Sequence, residues 1–339
     1  MPRLRFPFIV TGVMWLAALA GAFRCPQCAA KAARPRFAAP GGIRHDGPMP
    51  SVPLDPDDTG PPAEPPAEIA SLFPVERARL TELLRSLEPA DWNRPSPCPG
   101  WTVLGLCCHL VGDDLSVLSR HRDGYSGTPG PPDDAGESGF VAWLDDLQAE
   151  WVRAARRLSP RVVTDLLEWA GPQVADMVRG QDPRARTGHV SWAGGLVPAW
   201  LDQARELSEY WIHRQQLLQA LGRPSDLRAD LAAPVLDGLR WAYSFRLTEA
   251  GAQPGDTVII AVSGPVTVTW QLVATATGWV FRGGPGPRVV ARLDMTTEQA
   301  WRLLTNNLPS AQRARLTASG DAAILGILYQ TRAIIGTPK

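Results

Sequence analysis

Apolar residues recur at helical spacing through the first two thirds of the chain. Leu72, Val75, Leu80, Leu83, Leu84 and Leu87 predict a helix that starts near Glu68 and stops before Pro89. Residues 95–100 form a rigid turn, and Thr102 is the predicted N-cap of a helix carrying Leu104, Leu106, His109, Leu110, Leu115 and Leu118. A Pro/Gly/Asp loop follows at 124–139. The next helix covers 140–158, with Leu144, Leu147, Trp151 and Leu158 facing inward, and another covers 161–179 after Pro160. Residues 180–198 read as a loop containing His189. A long helix over 200–221 then ends at Gly222, with Pro224 just beyond as its C-terminal punctuation.

After about Asp226 the period changes. Residues 227–247 still read as helix. The segments 257–263, 266–274, 278–281 and 289–293 are β-branched, bounded by Gly or Pro, and read as strands. Residues 297–305 and 322–335 read as helices, with a short strand near 314–318 between them. The pattern predicts a helical bundle over 68–225 followed by a smaller α+β domain over 226–339, with no internal repeat.

Composition adds bounds to this outline. A chain of 339 residues exceeds the usual single domain, in keeping with two domains and extra sequence. Lys plus Arg equals Asp plus Glu at 34 each, so no global charge calls for nucleic acid or an anionic membrane. The balance is uneven along the chain: residues 1–48 carry a net +6 and the remainder −6. Five cysteines, two of them adjacent at Cys107 and Cys108, argue against a disulfide framework and for a reducing, cytoplasmic setting. Cys25 and Cys28 have metal-knuckle or redox spacing but lack a second pair or a βαβ context.

Arg3 and Arg5 precede an apolar run at 6–22, a pattern shared by signal peptides and short membrane anchors. Composition shifts sharply at Met49, before the acidic, Pro-rich stretch 51–67. That shift favours an over-extended start with Met49 as initiator over a signal or an anchor. Residues 1–67 are therefore expected to be a disordered or mis-annotated extension.

The candidate chemistry lies in His109, Glu209 and His213. Residues four apart on a helix share a face, so Glu209 and His213 point at one place. Two imidazoles and a carboxylate suit a catalytic zinc that keeps a fourth position for water or substrate. Spacing alone leaves other readings open: Glu209 and His213 also make an ordinary helical ion pair, and Glu206 is an alternative carboxylate. Asp113, four after His109, is either a ligand or second-sphere acceptor, or part of a solvated acidic patch with Asp114. His189 lies in a loop leading to the Glu209 helix and His121 is expected to be exposed. Cys98, Cys107 and Cys108 read as packing residues, and Trp92, Trp101, Trp192 and Trp211 as pocket walls or core.

Asp91-Trp92, then Pro97-Cys98-Pro99-Gly100-Trp101-Thr102-Val103, then His109-Leu110, resembles the start of the mycothiol-dependent maleylpyruvate isomerase family. Glu209-Tyr210-Trp211-Ile212-His213-Arg214-Gln215-Gln216, followed by Leu221-Gly222-Arg223-Pro224, resembles that family's second metal segment. Trp279, Leu293-Asp294, Glu298 and Gly320-Asp321 resemble its sterol-carrier-like C-terminal domain. The resemblance covers about 68–336. It implies a DinB-like antiparallel four-helix bundle and a divalent metal, usually zinc, held by His109, Glu209 and His213. It also implies mycothiol as thiol cosubstrate and a small-molecule substrate. In the isomerases the thiolate adds to a cis double bond, lets it rotate, and leaves the trans isomer. One departure stands out. Many members carry Asp, a hydrophobic residue and Arg after the final His, where this chain has Gln216, Leu217 and Leu218. Metal binding is therefore a firmer expectation than isomerisation. S-transfer by the same thiol is the neighbouring chemistry, and a non-catalytic metal- or ligand-binding regulator is the alternative on the same fold.

Overall fold

The computed structural model describes residues 61–62, 65, 67–125, 127, 136–283 and 288–334. The apolar run 6–22, Cys25, Cys28 and the change at Met49 lie outside these. Among the described residues no helix is long and apolar enough to cross a membrane.

Helices come first: α1 (Leu72–Arg85), α2 (Val103–Val117), α3 (Gly136–Ala155), α4 (Pro160–Arg179) and α5 (Ala199–Ala220). Their ends carry capping signals. Thr102 accepts from Gly105 N at 3.2 Å, capping α2, and Ser159 caps α4 with Pro160 in its first turn. Beyond α5, Gly222 takes φ 68°, a left-handed geometry that side chains resist. α1 packs on α4 and α5, while α2 packs on α3, α4 and α5. The buried face of α1 is formed by Phe73, Leu80, Leu83 and Leu84; Val75, expected inward, is exposed. Buried charges take part of that face, since Glu76 and Arg77 lie inside.

Two sequence expectations are corrected here. The predicted loop 180–198 contains an antiparallel hairpin, β1 (Gly188–Val190) with β2 (Gly195–Val197), whose strands are too short to show a period. The single helix expected over 227–247 is two, α6 (Ala229–Leu239) and α7 (Trp241–Leu247), separated at Arg240.

The remaining strands are β3 (Asp256–Ser263), β4 (Val268–Ala274), β5 (Trp279–Phe281), β6 (Arg288–Thr296) and β7 (Thr317–Gly320). They form one sheet in the order β5-β4-β3-β6-β7, antiparallel except for the parallel pair β3 and β6. Inward residues alternate along β3 and β4, with Val258, Ile260, Trp270 and Leu272 buried. Gly320 ends β7 at φ 115°, where a Cβ would sit 2.2 Å from Val290 O, so only glycine lets that edge close. Three helices complete this part: α8 (Thr297–Leu304), α9 (Ser310–Arg313) and α10 (Ala322–Gln330). α8 starts on a capping box between Thr296 and Gln299. The four-residue α9, too short for a periodic signal, was not expected.

The helices and the sheet share one apolar core. Trp211 of α5 meets Trp301 of α8 edge to face at 5.7 Å. Polar contacts cross the same seam, from Ser225 Oγ to Glu298 Oε1 at 2.9 Å and from Arg302 to Gln219 Oε1 at 2.7 Å.

Candidate metal centre

α2 and α5 bring His109 and His213 face to face, with Nε2 atoms 3.1 Å apart. One turn back on α5, Glu209 Oε2 lies 3.3 Å from His213 Nε2. The ligand atoms of His109, Glu209 and His213 all fall within 4.8 Å of one another. Both histidines are buried, and Trp101 lies over His109 with ring centroids 5.0 Å apart.

The far side of each imidazole decides what its near side can do. His109 Nδ1 is 3.0 Å from Gln148 Oε1, and His213 Nδ1 is 2.7 Å from Gln216 Oε1. An amide oxygen only accepts, so each Nδ1 carries a proton and donates it. The Gln148 amide is oriented by Asp113, whose Oδ1 accepts from Gln148 Nε2 at 3.1 Å. With each Nδ1 hydrogen-bonded to a glutamine, the Nε2 atoms are the ones turned to a common point beside Glu209, where a cation would take both as ligands. Such an arrangement calls for a cation, and an orienting acceptor behind each ring is the usual companion of metal-bound histidine.

Charge at the site follows from this crowding. Burial, and then His213, push His109 down to about 4. Burial also disfavours charge on His213, but Cys98 and Glu209 outweigh it and hold the ring well above the ordinary imidazole range. Burial opposes the Glu209 carboxylate too; the hydrogen bond and charge of His213, with His109 and Arg205 behind, overcome it and hold Glu209 at about 2. Two imidazoles 3.1 Å apart disfavour being charged together, and the two rings are accordingly pushed in opposite directions.

Asp113 belongs to the cluster. Its Oδ2 lies 3.1 Å from His109 Nε2, and burial, with Glu209 nearby, pushes the carboxyl up to about 7. The acidic-patch reading fails, because Asp114 is fully buried and accepts from Arg77 at 2.7 Å and from the Tyr210 hydroxyl at 2.8 Å. Glu206 is not the carboxylate of the site either: its Oε2 meets Arg205 at 2.8 Å and its Oε1 meets Tyr210 at 3.3 Å. His121 is exposed, as expected, while His189 lies on β1 with its side chain outside the described residues.

Cys107 and Cys108 are buried packing residues, and burial pushes the Cys108 thiol up to about 11. Cys98 departs from that expectation. It is half-buried and its Sγ donates to Gln216 Oε1 at 3.2 Å, beside His213. Gln148 and Asn307, which contacts Gln216, were not anticipated: they lie 39 and 91 residues from the side chains they meet, and no spacing in sequence announces them. Of the tryptophans, Trp101 lines the cluster, while Trp92, Trp192 and Trp211 are buried. Two surface hollows, of about 270 and 550 Å³, run beside α1 and α4 and involve none of the three candidate ligands.

Residues 73–218 match the family model described as the Mycothiol maleylpyruvate isomerase N-terminal domain. The resemblance carried by the sequence motifs therefore holds over this stretch, which contains every residue of the cluster except Asn307. Two uncharacterized proteins from two strains of Mycobacterium tuberculosis are each 28% identical over 190 residues, covering 54% of this chain and 68% of theirs. The crystal structure of the mycothiol-dependent maleylpyruvate isomerase, and that of a point mutant of it, each align with a TM-score of 0.47 at 16% identity. Each alignment covers 75% of this chain and 93% of the other.

Proposed function

We propose that this chain is a metal-dependent enzyme that uses a low-molecular-weight thiol, mycothiol, for isomerisation or S-transfer on a small molecule in the cytoplasm. The observation that carries the reading is the pair of Nδ1–H imidazoles whose Nε2 atoms meet beside Glu209. His109, Glu209 and His213 would hold the metal, and two borderline nitrogens with one carboxylate oxygen suit zinc. A divalent metal there supplies a Lewis acid that lowers the pKa of a thiol at the remaining position. Gln148 and Gln216 hold the imidazoles in the ligating tautomer. Trp101 covers His109 and limits water on that side. Asp113, fixed by Gln148, places a carboxyl beside the ligands where it can hold or pass a proton.

In this reading α1, α2, α4 and α5 are the core of a DinB-like four-helix bundle within residues 68–225. Residues 226–339 form the sterol-carrier-like domain. The family match over 73–218 supports the first assignment.

Asp113 also favours a second reading. Its Oδ2, 3.1 Å from His109 Nε2, is near enough to serve as a fourth protein ligand. A site closed in that way binds metal without a thiol, as in a regulator or storage protein. Cobalt substitution separates the two. The enzymatic reading expects mycothiol to add a sulfur-to-cobalt charge-transfer band that saturates at one thiol per chain. A cobalt spectrum unmoved by millimolar thiol would leave the regulator.

A further inference from the structure

Among the described residues, Asn306 is the single non-glycine with positive φ, at 57°. Asparagine is one of the few residues that tolerates this region. It lies in the turn after α8, which folds back so that Asn307 N and Leu308 N donate to Arg302 O at 2.7 and 2.9 Å. Arg332 braces the turn through Asn306 Oδ1 at 3.3 Å. The result is that Asn307 reaches α5, where its Oδ1 accepts from Gln216 Nε2 at 3.2 Å.

Each amide in this chain of contacts has a defined direction. Asn307 Nδ2 donates to Thr305 O at 2.8 Å, and a backbone carbonyl can only accept. Asn307 must therefore turn its oxygen to Gln216, and Gln216 must turn its NH2 to Asn307. The Gln216 oxygen is left facing His213 Nδ1 at 2.7 Å.

We infer that Asn307 is a positioning residue for the candidate metal centre: by fixing the Gln216 amide, it holds His213 in the tautomer that leaves Nε2 free to ligate. The inference rests on the metal reading above and adds a role for the sheet-bearing part of the chain, which supplies the last member of the relay. A carboxylate at 216 would present an acceptor whichever way it turned. A glutamine presents an acceptor one way and a donor the other. With the amide reversed, its NH2 would face Nδ1 and favour the Nε2–H tautomer, which has no lone pair for a cation. Gln216 thus needs an anchor that an acid would not.

The test is a double-mutant cycle on the full chain, Asn307→Leu with Gln216→Glu, reading zinc affinity by competition with a chelator. Loss of an outer hydrogen bond to a ligating histidine lowers affinity about 10–100-fold. Asn307→Leu is expected to show that loss with Gln216 present and less than about a third of it in the Gln216→Glu background, because coupled residues are non-additive. An equal loss in both backgrounds, or none in either, overturns the relay. A wild-type chain that binds no zinc refutes the metal reading instead. The relay is then decided by the His213 Nδ1–H proton resonance in metal-free protein: protected in wild type and lost in Asn307→Leu if the relay holds, unchanged in the variant if it does not.

Discussion

Helix α5 carries two kinds of buried charge on neighbouring faces. On one, Arg205 pairs with Asp202 and Glu206, Tyr210 bridges Glu206 and Asp114, and Arg77 closes on Asp114 at 2.7 Å. A turn further on, Arg214 grips Glu76 with two contacts of 2.5 and 2.8 Å and Asp226 with a third. On the other face, Glu209 and Asp113 pair with His213 and His109, and among the described residues neither meets an Arg or Lys. In the first set every carboxylate meets a guanidinium. The second gathers two carboxylates and two imidazoles with no guanidinium or ammonium in direct contact, and that is what marks it as a candidate site.

Removing a guanidinium from the arginine-paired face should have the largest effect. Arg77→Met leaves Asp114 fully buried with only the Tyr210 hydroxyl, and breaking a buried pair in this way costs about 3–5 kcal/mol. Denaturant unfolding should show that loss while metal bound per folded chain stays at the wild-type value. A fall in metal content at unchanged stability would reverse the roles assigned to the two faces.

Gln148→Leu should do the opposite. With the acceptor behind His109 removed, zinc affinity should drop about 10–100-fold, with stability changed far less. Affinity within threefold of wild type would mean that Gln148 does not orient the ring.

A pH comparison sharpens the contrast within α5 itself. Burial, only partly offset by Arg205, raises Glu206 to about 7, above its unfolded value near 4.5. The folded state then binds more protons than the unfolded state between those values. Glu206 should therefore make wild type lose stability relative to Glu206→Gln as pH rises from about 4.5 to about 7, with a flat difference above. Denaturation midpoints across this window would test it, and a difference that grows in favour of wild type would show that Arg205 dominates.

Smallest of all, Thr102→Ala removes the N-cap of the helix that carries His109, and about 1 kcal/mol of stability should go with it. Thr102→Ser should restore most of the loss.

Much of this architecture is written in local chemistry. The N-cap at Thr102, the Gly222 and Pro224 punctuation and the β-branched runs after 256 each declare an element within a few residues. The grouping of Glu209 with His213 follows from one helical turn, and Asp113 with His109 from another. What sequence withholds is chemistry carried by distant partners. Whether Glu206 or Glu209 faces the histidines depends on where Arg205, Tyr210 and Asp114 fall. The orienting amides of Gln148 and Asn307 come from other elements. Cys98 looks like packing until the fold sets it against Gln216. Three-residue strands such as β1 and β2 are too short for alternation to show.

The central claim is that His109, Glu209 and His213 bind a metal, and elemental analysis of purified protein tests it most directly. Wild type and His213→Ala should be compared alongside Arg77→Met as a control from the other face. The account predicts about one zinc per wild-type and Arg77→Met chain, and none in folded His213→Ala. A metal-free wild type after zinc loading, or a His213→Ala variant that keeps its metal, would contradict it.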